Sequence, residues 1–155
     1  MAFIQPCFIR NNTPELRKKL EGLGYEPSFS MGKYPEVYKN IVVCNFFGNR
    51  YYGISDDEAT RPGDITDAIK NRGLIDCGTN EDLFFALAAL RDDKPDYQWF
   101  IALDTMYDEN YHGEITVYYE KDEWLLWDYY SFMEDMPSDF RKATVKEIVE
   151  HFKKE

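Results

Sequence analysis

Histidine is scarce in this chain, with only His112 and His151 among 155 residues. Cysteine is little more common: Cys7, Cys44 and Cys77 form an odd set at wide spacing. No pair has the spacing of a zinc site, and three distant thiols offer no disulfide framework. No apolar run approaches the roughly 18–20 residues of a membrane span. The opening "MAFIQPCFIR" has neither a basic stretch nor a long apolar run, so it does not read as a signal peptide. Also missing are a phosphate loop ending in Gly-Lys-Ser/Thr, a dinucleotide glycine fingerprint and a Gly-x-Ser-x-Gly elbow. Bases are nearly absent from one third of the chain: residues 92–139 hold 14 acids against Lys94 and Lys121, a net −12 in 48 residues. The remainder, with 15 acids and 16 bases, is close to neutral. Direct nucleic-acid binding needs a basic stripe, and none is present. An anionic membrane surface would repel the acidic third. The expectation is a cytoplasmic protein with reduced thiols and no cofactor or metal. Neither nucleic acid nor membrane is expected among its direct partners.

What the chain does have is a core: 44% of it is hydrophobic and 17% aromatic, enough for one packed domain over 1–155. Pro6 in "FIQPCFIR" suggests an edge strand or a break. Thr13 as N-cap, Pro14 at the first helical position and Gly22 and Gly24 as stops predict a helix over 14–22. Residues 25–36 read as loop. Two β-rich runs around Gly48-Asn49 predict a hairpin, 38–46 with 50–55. "DDEATRPGD" reads as surface loop, and 64–73 as a short helix. A second helix, 80–91, capped by Thr79, is apolar nearly all round and so buried. Residues 97–103 read as a strand and "DTMYDENYHG" as a polar loop. "EITVYYE" and "EWLLWDYY" read as a second hairpin around Lys121-Asp122, followed by a linker at "EDMPSDF". Thr144 and Glu147 stand in capping-box register before a terminal helix. The fold class is α+β: antiparallel hairpins with two or three helices packed on one face. Ile9–Thr13 and Ile75–Thr79 share a spacing 66 residues apart. That leaves open a βαββ duplication with halves 1–72 and 73–155.

Cys77 precedes a helix start, where a thiol can be activated by the helix dipole. Thiol catalysis also needs a base, and His112 is the available one, with Asp76 or Asn80 to orient it. This defines one reading, a small cysteine-dependent enzyme using Cys77 and His112. The other reading of "IDCGTNEDL" is a strand end, a small-residue turn and a capped helix, with Cys77 a buried joint; cysteine is among the most buried residue types. The joint is the stronger reading. Asp76 and the run Thr79 to Asp82 are explained by capping before any metal is invoked. Asp104 to Asn110 lacks the register of a calcium loop.

The acidic third also holds twelve aromatics, including Trp99, Trp124 and Trp127. Alternation in "EITVYYEKDEWLLWDYY" is broken, so some of these rings are expected to face outward. Exposed Tyr and Trp are characteristic of protein interfaces, and a ring of acids selects a basic partner. The expected anchors are Tyr119, Trp124, Trp127 and Tyr129, with Glu120, Asp122, Glu123 and Asp128 as the charge. Competing readings of the same segment are a DNA mimic, a sugar-stacking face and a plain solvated face. Self-association through an edge strand also stays open.

Three stretches, "FIRNNTPELRKKLEGLGY", "LIDCGTNEDLFFALAALRDD" with "YQWFI", and "RKATVKEIVEHF", resemble small uncharacterised proteins of phages and mobile elements of gut bacteria. The resemblance runs from Phe8 to Phe152 with gaps at the loops, and carries no activity or catalytic residues. It implies an accessory protein made inside a bacterial host, where small acidic phage proteins often act by binding host machinery; the expected function is accordingly a non-enzymatic one, binding a host protein.

Overall fold

Phe8 and its neighbours point to opposite sides of a strand, and the main sheet is built on that alternation. The computed structural model describes residues 3–44, 49–54, 73–91, 97–127 and 140–153. Strand β1 (Cys7–Ile9) is an inner strand of this sheet, with a partner on each side. It is antiparallel to β3 (Asn40–Cys44) and parallel to β5 (Ile75–Asp76). Strand β4 (Arg50–Ile54) continues the sheet beyond β3, and the two-residue β2 (Glu26–Pro27) ends it, giving the order β2-β4-β3-β1-β5. Phe8 lies opposite Val42, while Cys7 and Ile9 lie opposite Val43 and Ile41. Because side chains alternate, Cys7, Ile9, Ile41 and Val43 join the main core. Phe8, Val42 and Ile54 make a smaller cluster on the other face.

Helix α1 (Pro14–Leu23) begins as its sequence prescribes: Thr13 accepts the Leu16 N–H at 3.1 Å, and Gly24 ends the helix at φ +117°. Leu16, Leu20 and Leu23 are its buried stripe. A five-residue helix α2 (Phe29–Lys33) and a 3-10 turn (Pro35–Val37) follow β2. Helix α3 (Glu81–Ala88) is the centre of the core, with Leu83, Phe84, Ala86, Leu87 and Ala88 buried. It packs on β1, α1 and the terminal helix α4 (Val145–Phe152). Tyr25 fastens the end of α1 to α3 by donating its hydroxyl to the Ala88 carbonyl at 2.7 Å. A second sheet places β6 (Trp99–Ala102) between β9 (Trp124–Leu126) and β10 (Phe140–Lys142), all antiparallel. A third has two strands only, β7 (Met106–Glu109) and β8 (Ile115–Tyr119). Helices and mixed sheets make this an α+β protein. Among the described residues no helix is long and apolar enough to cross a membrane.

Four expectations are corrected. Residues 25–36 are not loop, since β2 hydrogen-bonds through Glu26 N–H to Asn49 O at 2.9 Å and α2 follows. The cap of α3 is Asn80 and not Thr79. Its side-chain oxygen accepts from Leu83 N–H at 3.0 Å while its amide donates to the Phe152 carbonyl at 2.9 Å. A threonine hydroxyl at 79 offers no such second tie to α4. "DTMYDENYHG" is not a loop, because Asn110 and Gly113 close a tight turn that lets β7 pair with β8. The segments around Lys121-Asp122 are not a hairpin: Asp122 sits at φ +69° and donates its N–H to Ala102 O at 2.9 Å, which sends β9 to pair with β6. The described strands of the two halves join different sheets. β3 and β4 share the sheet of β1, whereas β6, β9 and β10 leave the sheet of β5. The matched threonines also differ, Thr13 capping and Thr79 not. The surface loop and short helix expected over 56–73, and the linker over 134–140, lie outside the described residues apart from Gly73 and Phe140, which opens β10.

Candidate functional site

Between Asp104 and Glu123 the chain carries seven acids, one lysine and His112. Strands β7 and β8 are the centre of this segment, and the turn joining them is made by Asn110. Its side-chain oxygen accepts from His112 N–H at 2.9 Å and Glu114 N–H at 3.0 Å, and its own N–H donates to Glu114 O at 3.0 Å. Gly113 supplies the φ of +77° that the turn requires. Direct cross-strand partners share a face, so Tyr107 with Val117 and Glu109 with Ile115 look one way, and Asp108 with Thr116 the other. The register slips between Met106 and Tyr107, a bulge that leaves Tyr118 without a partner across the ribbon.

This ribbon is rooted at one end. Met106 and Tyr119 pack on the cluster of Phe100, Ala102, Trp127 and Phe140, with the Tyr119 ring edge-on to Phe140 at 5.1 Å. Beyond the root, no described residue is recorded as covering it. Tyr107 is 64% exposed, Ile115 63%, Tyr118 59% and Val117 51%, and Tyr111 at the tip is fully exposed. Scattered exposed apolar residues are ordinary, but Tyr107, Ile115 and Val117 are contiguous on one face of a two-stranded sheet. A two-stranded ribbon is marginally stable by itself, so uncovered apolar surface here is costly unless it is used. Asp104, Asp108, Glu109, Glu114, Glu120, Asp122 and Glu123 are all exposed, and none is ion-paired to another described residue.

The expected anchors divide. Trp127 is 4% exposed, its ring edge-on to Phe100 at 5.6 Å, so it belongs to the core. Trp124 is half-buried, stacked on His151 at 4.0 Å and tilted against Trp99 at 6.2 Å. Tyr119 is half-buried at the root. These rings hold the second sheet to α4 and to the base of the ribbon. Glu120, Asp122 and Glu123 are on the surface as expected. Asp128 and Tyr129 lie outside the described residues. The outward aromatics that sequence reasoning passed over are Tyr107 and Tyr111, while Tyr118 is the outward member of the adjacent pair Tyr118 and Tyr119. The signal for Tyr107 and Tyr111 was the Asn110–Gly113 turn inside a stretch read as loop.

Cys77 is a joint. It is 5% exposed, its N–H donates to Phe8 O at 2.7 Å, and its thiol meets the Ile75 carbonyl at 3.9 Å. Gly78, at φ +58°, allows the turn that follows. Cys7 lies beside it, and burial first, then the hydrogen bond to Cys77, pushes the Cys7 thiol well above its ordinary pKa. His112 lies at the exposed tip of the ribbon, and no recorded contact joins it to Cys77. Both proposed orienters are engaged elsewhere. Asp76 pairs with Arg10 at 3.0 Å and accepts from Gly78 N–H at 2.9 Å, while Asn80 is the α3 cap. Among the described residues no three His, Cys, Asp or Glu side chains converge as metal ligands would. Compared with family models, with curated proteins and with solved structures, the chain finds no match.

Proposed function

We propose that this protein is a non-catalytic binding module, an accessory protein of phage or mobile-element type working in the cytoplasm of a bacterial host. Its working surface would be the acidic ribbon 104–123, and its partner a host protein with a basic face. One observation carries the reading: an exposed apolar face of Tyr107, Ile115 and Val117 is framed by carboxylates none of which is ion-paired to another described residue. Buried aromatics supply most of the affinity at such interfaces, and peripheral charges select the partner and speed encounter. Tyr118 and Tyr111 extend the contact toward the bulge and the tip. The rings of Trp124, Trp127 and Tyr119 act indirectly, by fixing the root.

The test compares three forms of the full chain in affinity capture from host lysate, eluted by salt and read by mass spectrometry. The forms are wild type, Tyr107→Ser with Val117→Ser, and Asp108→Asn with Glu109→Gln and Glu114→Gln. All changed side chains are exposed, so melting temperatures should agree within a few degrees. Wild type should retain a specific basic protein that leaves at moderate salt. The serine form should lose it, at a cost of about 2 kcal/mol or more. The amide form should bind it more slowly and with a flatter salt dependence. A partner held equally by all three forms sinks the reading. Competition by duplex DNA for the captured protein would identify the carboxylates as mimics of phosphates.

A further inference from the structure

A solvent-open groove of about 450 Å³ lies between α1, the first turn of α3, the β6–β9 pair and the end of α4. No residue of the ribbon 104–123 lines it, so it raises a question separate from the ribbon's role. Four half-buried aromatic rings form its walls. Phe85 and Tyr97 meet edge to face at 6.3 Å, and Trp99 and Phe152 do so at 5.7 Å. Glu81 and Asp82 stand at the rim with Lys19, and neither carboxylate is ion-paired to another described residue. The size is that of a small-molecule site, where apolar walls and a few charged groups fix a ligand.

The chemistry of the lining discriminates among occupants. Ring faces carry negative potential and attract cations. Two carboxylates add to that attraction, opposed by Lys19 and in part by the positive end of α3, whose first turn they occupy. A neutral apolar occupant would leave the carboxylates unused, and an anion would face both these and the rings. We propose that the groove binds a small organic cation, an ammonium or guanidinium group on an aromatic or apolar body. The body would lie against Trp99, Phe152, Phe85 and Tyr97, with its charge toward Glu81 and Asp82.

Three probes of equal ring size test this on the full chain by ligand-detected NMR: phenethylammonium, 2-phenylethanol and phenylacetate. Phenethylammonium should bind about tenfold tighter than the alcohol, the ratio that one desolvated cation–ring contact with a nearby carboxylate supplies. Phenylacetate should be the weakest. Glu81→Gln with Asp82→Asn should bring the ammonium most of the way to the level of the alcohol, leaving the smaller preference that the rings alone supply, and leave the alcohol unmoved. Lys19→Ala should tighten the ammonium about two- to threefold, because it removes a like charge at the rim. The serine form of the ribbon should bind all three probes as wild type does. Equal binding of the three probes would reduce the groove to a plain apolar crevice and overturn the proposal. Phenylacetate binding tightest, through Lys19, would overturn it too, as would no binding of any probe to folded protein. A basic peptide that displaces the amine at far lower concentration would overturn the small-molecule assignment in favour of a protein segment.

Discussion

Cys77 illustrates how one side chain can read as chemistry in a sequence and as packing in a structure. Its position before a helix is that of an activated thiol, but its surroundings are the Ile75 carbonyl, the buried Cys7 and the underside of α3. A hydroxyl placed there has a shorter reach to the same carbonyl, which the thiol meets only at 3.9 Å. Cys77→Ser is therefore expected to cost about 1–3 kcal/mol, the penalty for burying a poorly bonded hydroxyl. Cys77→Ala should cost less, since it removes a contact without adding a polar group. Urea unfolding of the two variants against wild type checks the order. Serine and alanine costing the same, or neither costing anything, would contradict the burial. The sequence did favour the joint, because cysteine is commonly buried. It could not show Cys7 beside Cys77, since that meeting depends on the parallel pairing of β1 with β5 across more than sixty residues.

Helix α4 was the most readable piece of the fold, because its start is written in two local residues. Thr144 and Glu147 cap each other, and Arg141 adds a two-pronged pair to Glu147 at 2.7 and 2.8 Å. Arg141 foremost, then the Thr144 N–H, holds the Glu147 carboxyl down at about 2, against an ordinary 4.5. A depressed carboxyl contributes stability that is fully present above pH 4.5 and fades as pH falls toward 2. Glu147→Gln should thus lose about 1 kcal/mol at pH 7, a modest figure because the pair is solvent-screened. The gap from wild type should close as pH drops below 4.5. Unfolding curves at pH 7, 4 and 3 measure it, and a gap that does not change with pH would remove Glu147 as its source. The strands misread were those whose own residues do not name their partner. β7 looked like loop because Met106–Glu109 has no β-branched residue and earns its strand only from β8. β9 looked like half of a hairpin because its true neighbour, β6, precedes it by more than twenty residues. Turn residues were visible in both cases; which strands they joined was not.

Charge asymmetry was plain from composition, and the structure concentrates half of it on the uncovered ribbon. Seven of the 14 acids of 92–139 fall between Asp104 and Glu123. Adjacency and ring size favoured Trp124 and Trp127 in the sequence, whereas exposure depends on which strand leaves the core, and Trp127 is buried. Glu120, Asp122 and Glu123 kept their assigned place because a turn between sheets must be wet. The same asymmetry bears on self-association. An apolar ribbon face with open strand edges is a template for pairing with a second copy, but two such ribbons would bring two sets of seven carboxylates together. At about 0.1 M salt, charges interact over roughly 10 Å, and at about 1 M over roughly 3 Å. The carboxylates should therefore keep copies apart at low salt and lose that power at high salt, where burial of Tyr107, Ile115 and Val117 is unopposed. Sedimentation velocity should find wild type as a monomer at 0.1 M salt and partly dimeric at 1 M. The form with Asp108→Asn, Glu109→Gln and Glu114→Gln should dimerise at lower salt than wild type, and the Tyr107→Ser, Val117→Ser form should stay monomeric throughout. A wild-type dimer already complete at 0.1 M would mean that the face is closed by its own copy. The basic partner would then have to be sought elsewhere on the molecule.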